Sequence, residues 1–209
     1  MSLICPTVTA YNKAEYDLEL SRAIGLSNRI HIDIMDHQFT GVDSVDLLNI
    51  NWPKNYQVDV HLMVAKPMDY LDRLIELKPS LTIIHFESDV NHIELSTILH
   101  QQHILTGLAL LQETPVENIL SIVNDFDHAL IFSGHLGHYG GIANLSLLNK
   151  VKILKKSSQK LEIGWDGGIN DKNITNLISA GVDVLNIGSF IQKAVNPANA
   201  YDKLRLRIQ

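Results

Sequence analysis

One apolar stretch of the chain carries polar residues at every second position. It reads Arg29-Ile30-His31-Ile32-Asp33-Ile34-Met35-Asp36. In a strand, side chains alternate between faces, so His31, Asp33 and Met35 share one face and Ile32 and Ile34 the other. A second stretch repeats the pattern, with Asp59, His61 and Met63 alternating with Val58, Val60 and Leu62. A third ends at Asp166, followed by Gly167-Gly168. Imidazoles and carboxylates in apolar surroundings need partners, because a polar group removed from water without one is costly. If His31, Asp33, His61 and Asp166 converge, they offer two nitrogen and two carboxylate donors, a set suited to Zn2+, Fe2+ or Mn2+. The same four would also serve a buried hydrogen-bond network with no metal. Spacing alone leaves both readings open.

Glycines form a second constellation. Gly140-Gly141, Gly167-Gly168 and Gly188-Ser189 each follow an apolar run and could each precede a helix. Glycine lets backbone N–H groups approach an anion closely, and a helix start favours negative charge. Plain turn glycines are the alternative, but three such turns on consecutive runs favour an anion site.

These residues need a scaffold that brings strand ends together. Eight short apolar runs recur: Leu3–Cys5, Ile30–Met35, Val58–Val64, Leu81–Phe86, Ile104–Leu111, Ala129–Phe132, Leu161–Trp165 and Val182–Ile187. They are too short for helices, and the segments between them mostly leave room for one helix each. Tyr16, Leu18, Leu20, Ala23 and Ile24 predict a helical face after the first run. Pro67 is expected to open a helix, and so is Pro115, with Val116, Ile119, Leu120 and Val123 on its face. Asn144 is expected to cap another, and Asn170 or Asp171 the next, which Gly181 would end. Strict alternation of strand and helix implies a parallel sheet covered by helices. The expectation is α/β: one (β/α)8 TIM barrel, a parallel eight-stranded barrel, as a single domain over residues 1–209. Its active site would lie at the C-terminal strand ends. An open doubly wound sheet is the rival, but Pro6-Thr7-Val8-Thr9 is not the glycine-rich loop expected after its first strand.

Composition narrows the function classes. The chain has 209 residues, is 45% hydrophobic and 19% charged, and carries a net charge of −6. It has no dense Lys/Arg cluster, which argues against nucleic acid as a partner. No apolar run is long enough to span a bilayer, so no membrane partner is expected. The segment Met1 to Thr9 lacks the pattern of a signal peptide, and the lone Cys5 cannot form an internal disulfide. The expected address is cytoplasmic.

At the chemistry-bearing residues the chain resembles the ribulose-phosphate 3-epimerase family. His31-Ile-Asp-Ile-Met-Asp36 resembles the family's H-[VI]-D-[VI]-M-D, and Asp59-Val-His-Leu-Met-Val64 its D-x-H-L-M-[VI]. His85-Phe-Glu87 resembles its H-x-E, Asp166-Gly-Gly-Ile-Asn170 its D-G-G-I-N, and Gly188-Ser189 its last strand end. Gly107-Leu-Ala-Leu and Thr114-Pro-Val-Glu117 resemble its fifth strand and turn. The resemblance implies a metal-dependent isomerase that inverts C3 of a ketose phosphate, taking ribulose 5-phosphate to xylulose 5-phosphate through an enediolate. It implies Asp33 and Asp166 as the catalytic acid/base pair and His31, Asp33, His61 and Asp166 as ligands to one divalent ion, Zn2+ ahead of Fe2+, Mn2+ or Co2+. It implies contacts to the sugar phosphate from Thr7, Met35, Met63, Gly140, Gly141, Gly167, Gly168, Gly188 and Ser189. The two methionines would otherwise be core filler. Family members are commonly homo-oligomers, which sets the same expectation here.

Departures cluster in the loops. The family's Ser after the first-strand proline is Thr7 here, and its fifth-strand Asn-Pro is replaced near Leu111-Gln112. Where the family reads M-S-V-N-P-G-F-G-G-Q, this chain reads Phe132-Ser-Gly-His-Leu-Gly-His-Tyr-Gly-Gly-Ile142. His135 and His138 are extra polar groups there, facing either substrate or solvent. The change leaves two alternatives open. One is the same chemistry on another ketose phosphate, such as allulose 6-phosphate. The other is a catalytically silent sugar-phosphate binder. A related lyase is disfavoured because the second strand lacks the lysine of D-x-K-x-x-D.

Overall fold

The computed structural model describes residues 2–208. Its strands are β1 (Leu3–Val8), β2 (Arg29–Met35), β3 (Gln57–Met63), β4 (Leu81–His85), β5 (Leu105–Leu110), β6 (His128–Phe132), β7 (Glu162–Asp166) and β8 (Val184–Ile187). All neighbours pair in parallel, and β8 returns to β1, closing the barrel in chain order. Each apolar run picked out in the sequence is one of these strands. The helices are α1 (Lys13–Ala23), α2 (His37–Thr40), α3 (Leu71–Leu77), α4 (His92–Gln101), α5 (Leu148–Ser157), α6 (Ile174–Ala180), α7 (Ser189–Gln192) and α8 (Pro197–Arg205).

The outward faces of the strands build the main core. Ile30, Ile32 and Ile34 of β2 and Val58, Val60 and Leu62 of β3 pack with helix residues such as Leu74, Leu95 and Val151. A smaller cluster of Leu81, Ile83, Ala109 and Leu130 is separate from that layer and fills the barrel between its polar ends.

Five helix expectations need correction. Pro115 does not open an α-helix. It precedes two 3-10 turns, Val116–Ile119 and Val123–Asp125, which still bury Val116, Ile119 and Val123 against the core. The stretch is rich in Asn, Asp, Ser and β-branched residues, which propagate an α-helix poorly. Pro67 likewise opens a 3-10 turn, Pro67–Tyr70, that leads into α3. On α1 the buried residues are Tyr16, Leu20 and Ala23, whereas Leu18 is 59% exposed and Ile24 is the C-cap. Positions 16, 20 and 23 share a helical face and position 18 lies across from it. Asn144 caps a 3-10 turn ahead of α5, and Asn173 occupies the N-cap of α6. Asn170 organises that turn instead, by accepting from Ile174 N through its carbonyl. Asp171 pairs with Lys203.

A charged network closes the N-terminal end of the barrel. Arg29 Nε donates to Asp59 Oδ2 at 2.8 Å, and its two Nη atoms donate to the Glu162 carboxylate at 2.9 and 2.8 Å. His128 Nδ1 donates to Glu162 Oε2 at 2.8 Å. Gly164 makes room for this ring: a Cβ there would lie 2.4 Å from His128 Nε2. Burial opposes ionisation of Glu162, but His128 and Arg29 outweigh it and hold the carboxyl down at about 2. For Asp59 burial wins over Arg29, and its pKa is raised. Glu162 therefore stabilises the fold above the ordinary carboxylate range, and that contribution is lost as pH falls toward 2. Arg29→Met leaves the buried Asp59 charge unpaired, so stability at neutral pH should fall by about 3–5 kcal/mol. The deficit should shrink on acidification, as Asp59 takes up a proton. Urea titrations from pH 7 to 4 check this, and a deficit independent of pH would place its origin elsewhere.

Candidate functional site

At the C-terminal end of the barrel the polar tier has a different character. β2 and β3 pair with Asp33 opposite His61 and Met35 opposite Met63. Asp166 ends β7, three steps around the ring from β2. One ligand atom each from His31, Asp33, His61 and Asp166 lies within 4.8 Å of the others. His61 Nδ1 is 3.1 Å from Asp33 Oδ1 and 3.8 Å from Asp166 Oδ2. His31 Nε2 is 3.2 Å from Asp33 Oδ1 but lacks hydrogen-bond geometry. Among the described residues both nitrogens of this fully buried ring are without a partner.

The electrostatics favour a cation in the cluster. Burial disfavours an Asp33 carboxylate, but His31 and His61 outweigh it and hold the carboxyl well below its usual range. Asp166 is pushed well up, first by burial and then by the Asp33 charge. Burial pulls His31 down, yet Asp33 reverses this and raises it. Burial and neighbouring His85 push His61 down despite Asp33. Two carboxylates and two imidazoles, with orphaned nitrogen lone pairs, fit a divalent first-row ion. Such an ion would supply a partner to one of the two His31 nitrogens, Nε2 being the one beside Asp33.

A cleft opens over the cluster. Of the residues expected from the sequence, Thr7, Met35, Met63, Gly140, Gly167, Gly168, Gly188 and Ser189 line it, whereas Gly141 sits in the outer depression beside it. Met35, Met63 and Phe132 form an apolar cluster with Phe39, Val42, Leu111 and Leu136 against them. His135 and His138 are exposed at the rim, and His138 Nδ1 donates to the Leu136 carbonyl. The altered loop after β6 is tied down from two sides. Gln112 Nε2 donates to the Ser133 and Gly134 carbonyls, and Ser133 Oγ accepts from Asn144 N. Lys150 Nζ donates to the Leu111, Gln112 and Thr114 carbonyls, fixing the loop that carries Gln112.

Several lining groups were not singled out from the sequence. Thr9 Oγ1 donates to Asp33 Oδ2 at 2.6 Å. Period two from Thr7 along β1 and beyond carries the signal for it. Asn186 of β8 pairs in register with Asp166, and neither its Oδ1 nor its Nδ2 has a partner among the described residues. The same holds for Thr7 Oγ1 and Tyr139 Oη. Lys193 Nζ lies 4.8 Å from the centre of the Tyr139 ring, close to Gly140, and brings a cation to the glycine turns. Buried polar groups without partners inside a cleft mark where a ligand's oxygens would bind.

A closed parallel barrel with a His/Asp donor cluster under a polar cleft at its C-terminal mouth has the layout of a barrel enzyme for a small ligand. A profile of the Ribulose-phosphate 3 epimerase family matches residues 3–192. The chain is 30% identical to ribulose-phosphate 3-epimerase of Schizosaccharomyces pombe, over 97% of its own length and 92% of that protein's. It is also 30% identical to the Helicobacter pylori enzyme, over 84% of each chain. The chain belongs to this family, and it is an isomerase of the epimerase type. Solved structures share the fold at low identity. The 3-hexulose-6-phosphate synthase of Salmonella typhimurium superposes with a TM-score of 0.74 at 15% identity, covering 100% of this chain and 98% of that one. No helix among the described residues is long and apolar enough to cross a membrane.

Gly168 lies at φ +71°, where an added Cβ would come 2.1 Å from Ala143 N. Gly168→Ala should cost at least about 1–2 kcal/mol from the left-handed backbone alone. It should also displace the segment after the β6 loop and weaken binding of a phosphorylated sugar. Denaturant melts together with calorimetric titration check both effects. Unchanged affinity in the folded variant would place the phosphate elsewhere.

Proposed function

We propose that this chain inverts C3 of a ketose phosphate, interconverting ribulose 5-phosphate and xylulose 5-phosphate with two aspartates as acid and base. The observation that carries this reading is the approach of two buried carboxylates, Asp33 from β2 and Asp166 from β7, beneath one cleft. The C3 proton lies α to the C2 ketone, so its removal leaves an enediolate. In one direction Asp33 takes the proton from C3 and Asp166 returns one from the other side; the reverse reaction exchanges the roles. Thr9 holds Asp33 through Oδ2, so the carboxylate meets the substrate in one orientation. Met35, Met63 and Phe132 exclude water and protect the planar intermediate from stray protonation. The turns at Gly140, Gly141, Gly167, Gly168, Gly188 and Ser189, with Lys193 beside them, hold the phosphate. Thr7, Asn186 and Tyr139 bind sugar oxygens. His31, Asp33, His61 and Asp166 would hold one divalent ion, Zn2+ ahead of Fe2+, Mn2+ or Co2+, which supplies Lewis-acid stabilisation to oxygens that gain charge.

One observation favours a second substrate. Tyr139 stands where the family loop has Phe, and Asn186 adds an unpartnered amide. Both offer hydrogen bonds that an extra hydroxyl would use, as in a six-carbon ketose phosphate such as allulose 6-phosphate.

In D2O the protein should place deuterium at C3 of the product when given a panel of five- and six-carbon ketose phosphates. Asp33→Asn keeps the side-chain size but removes the base, and turnover should fall by at least about 10²–10⁴-fold. Asp166→Asn should abolish net inversion while leaving slow one-sided exchange. Metal content is measured on the same samples, because a lost ligand mimics a lost base. Wild-type protein that holds metal and phosphate but exchanges C3 of no ketose phosphate would be a silent binder, and the epimerase reading would fail.

A further inference from the structure

Behind the cluster, a line of buried polar groups runs away from His61. His61 Nε2 lies 2.9 Å from His85 Nε2, and the two rings meet edge to edge with centres 5.0 Å apart and an interplanar angle of 25°. His85 Nδ1 lies 3.4 Å from Glu87 Oε2. Glu87 Oε1 accepts from Leu111 N at 3.0 Å and from the Thr114 hydroxyl. Both imidazoles are fully buried. Phe39 and Phe132 pack against His85, at ring-centre separations of 5.1 and 5.6 Å, and His92 Nε2 donates to the His85 carbonyl at 3.2 Å.

We propose that His85 and Glu87 are positioning residues for the metal: they hold the His61 proton on Nε2, so that Nδ1 faces Asp33 and Asp166 as a lone-pair donor. The inference rests on the reading of that cluster as a divalent-ion site.

Donor counting, with a cation at the cluster, sets the direction of the relay. A neutral imidazole has one N–H and one lone pair. Between His61 Nε2 and His85 Nε2, one nitrogen must donate and the other accept. Were His85 the donor there, its Nδ1 lone pair would point at the Glu87 carboxylate. Glu87 already accepts from Leu111 N and Thr114 Oγ1, the pattern of an ionised acid, so that arrangement sets lone pair against anion. In the opposite arrangement the groups from His61 Nε2 to Glu87 are all satisfied. His85 Nδ1–H donates to Glu87, and His61 Nε2–H donates to His85 Nε2. His61 Nδ1, set in hydrogen-bond geometry 3.1 Å from one Asp33 oxygen and lying 3.8 Å from an Asp166 oxygen, then gives up its proton and is bare. A lone pair beside two carboxylates is repulsive with nothing between them and favourable around a cation. A bound cation thus favours this tautomer, and the relay satisfies the proton that the tautomer places on Nε2. Ligating histidines are commonly oriented in this way through their second nitrogen. Here a second histidine stands between ligand and carboxylate, because β4 presents His85 inward and Glu87 lies beyond the strand's end.

The test is metal affinity, read apart from turnover. Wild type and variants of the full chain are stripped and titrated with Zn2+ alone against a competing chelator. His85→Leu removes the acceptor for His61 Nε2–H and should weaken Zn2+ binding about 10–100-fold. Glu87→Gln keeps the size but removes the anion that polarises the relay, and should give a smaller loss in the same direction. His85→Gln can return an amide oxygen near the lost Nε2 and should recover most of the affinity, which a purely steric role for the ring would not predict. Nitrogen-15 spectra of the Zn2+-loaded wild type should find His61 protonated on Nε2. Circular dichroism and melting confirm that each variant folds; if His85→Leu does not, Glu87→Gln and the spectra carry the test. Folded variants that bind Zn2+ as tightly as wild type, or a His61 proton on Nδ1 in the loaded protein, overturn the relay and leave the metal site standing. Wild type that binds no Zn2+ overturns both.

Discussion

The pairing of β2 with β3 is the constraint on which the cluster depends. Their register runs unbroken from Arg29↔Gln57 to Met35↔Met63. Because strand side chains alternate, a slip of one residue would turn every isoleucine and valine of the outer layer into the barrel and every histidine and aspartate into the helices. The apolar faces therefore enforce the register, and the register delivers Asp33 beside His61. No interaction within the cluster needs to be strong enough to assemble it. The burial of Ile30, Ile32, Ile34, Val58, Val60 and Leu62 does that work.

The two ends of the barrel handle buried charge in opposite ways. At the N-terminal end, Arg29 brings a guanidinium to Asp59 and Glu162, and His128 completes the set. The charges are paired by protein alone, which suits a structural plug. At the C-terminal end, two carboxylates and two imidazoles crowd one point, while Thr7, Asn186, Tyr139 and His31 keep polar atoms without partners among the described residues. Such an arrangement is unfavourable by itself and becomes favourable when a ligand supplies what is missing. Stability is concentrated at one end of the barrel and chemistry at the other.

The loop after β6 shows how the fold tolerates change around a retained cluster. Gln112 braces it by donating to the Ser133 and Gly134 carbonyls, and Lys150 fixes the loop that carries Gln112. The family's Asn-Pro and methionine are gone, yet Phe132 still packs with Met35 and Met63. The apolar character over the cluster is retained, while Tyr139 brings a hydroxyl to the cleft wall where the family loop has Phe.

Period two and the spacing of apolar runs were properties of the sequence by itself, and they determined the eight strands, the closed parallel barrel and the shared face of His31, Asp33 and Met35. These are local features of the backbone, legible within a window of a few residues. Helix types were less legible: Pro67 and Pro115 predicted α-helices where 3-10 turns formed, and Leu18 pointed to solvent. Partnership across the ring was decided only in three dimensions. Arg29 meets Glu162 at a separation of 133 residues, and His61 meets His85 at 24. Neither pair follows from alternation, because alternation says that a side chain points inward and not which side chain it meets. Meeting depends on the stagger between strands as the sheet closes, a property of all eight at once. The same closure left the Asn186 amide and the Tyr139 hydroxyl buried without partners among the described residues, and no local pattern in the sequence marks an unmade hydrogen bond.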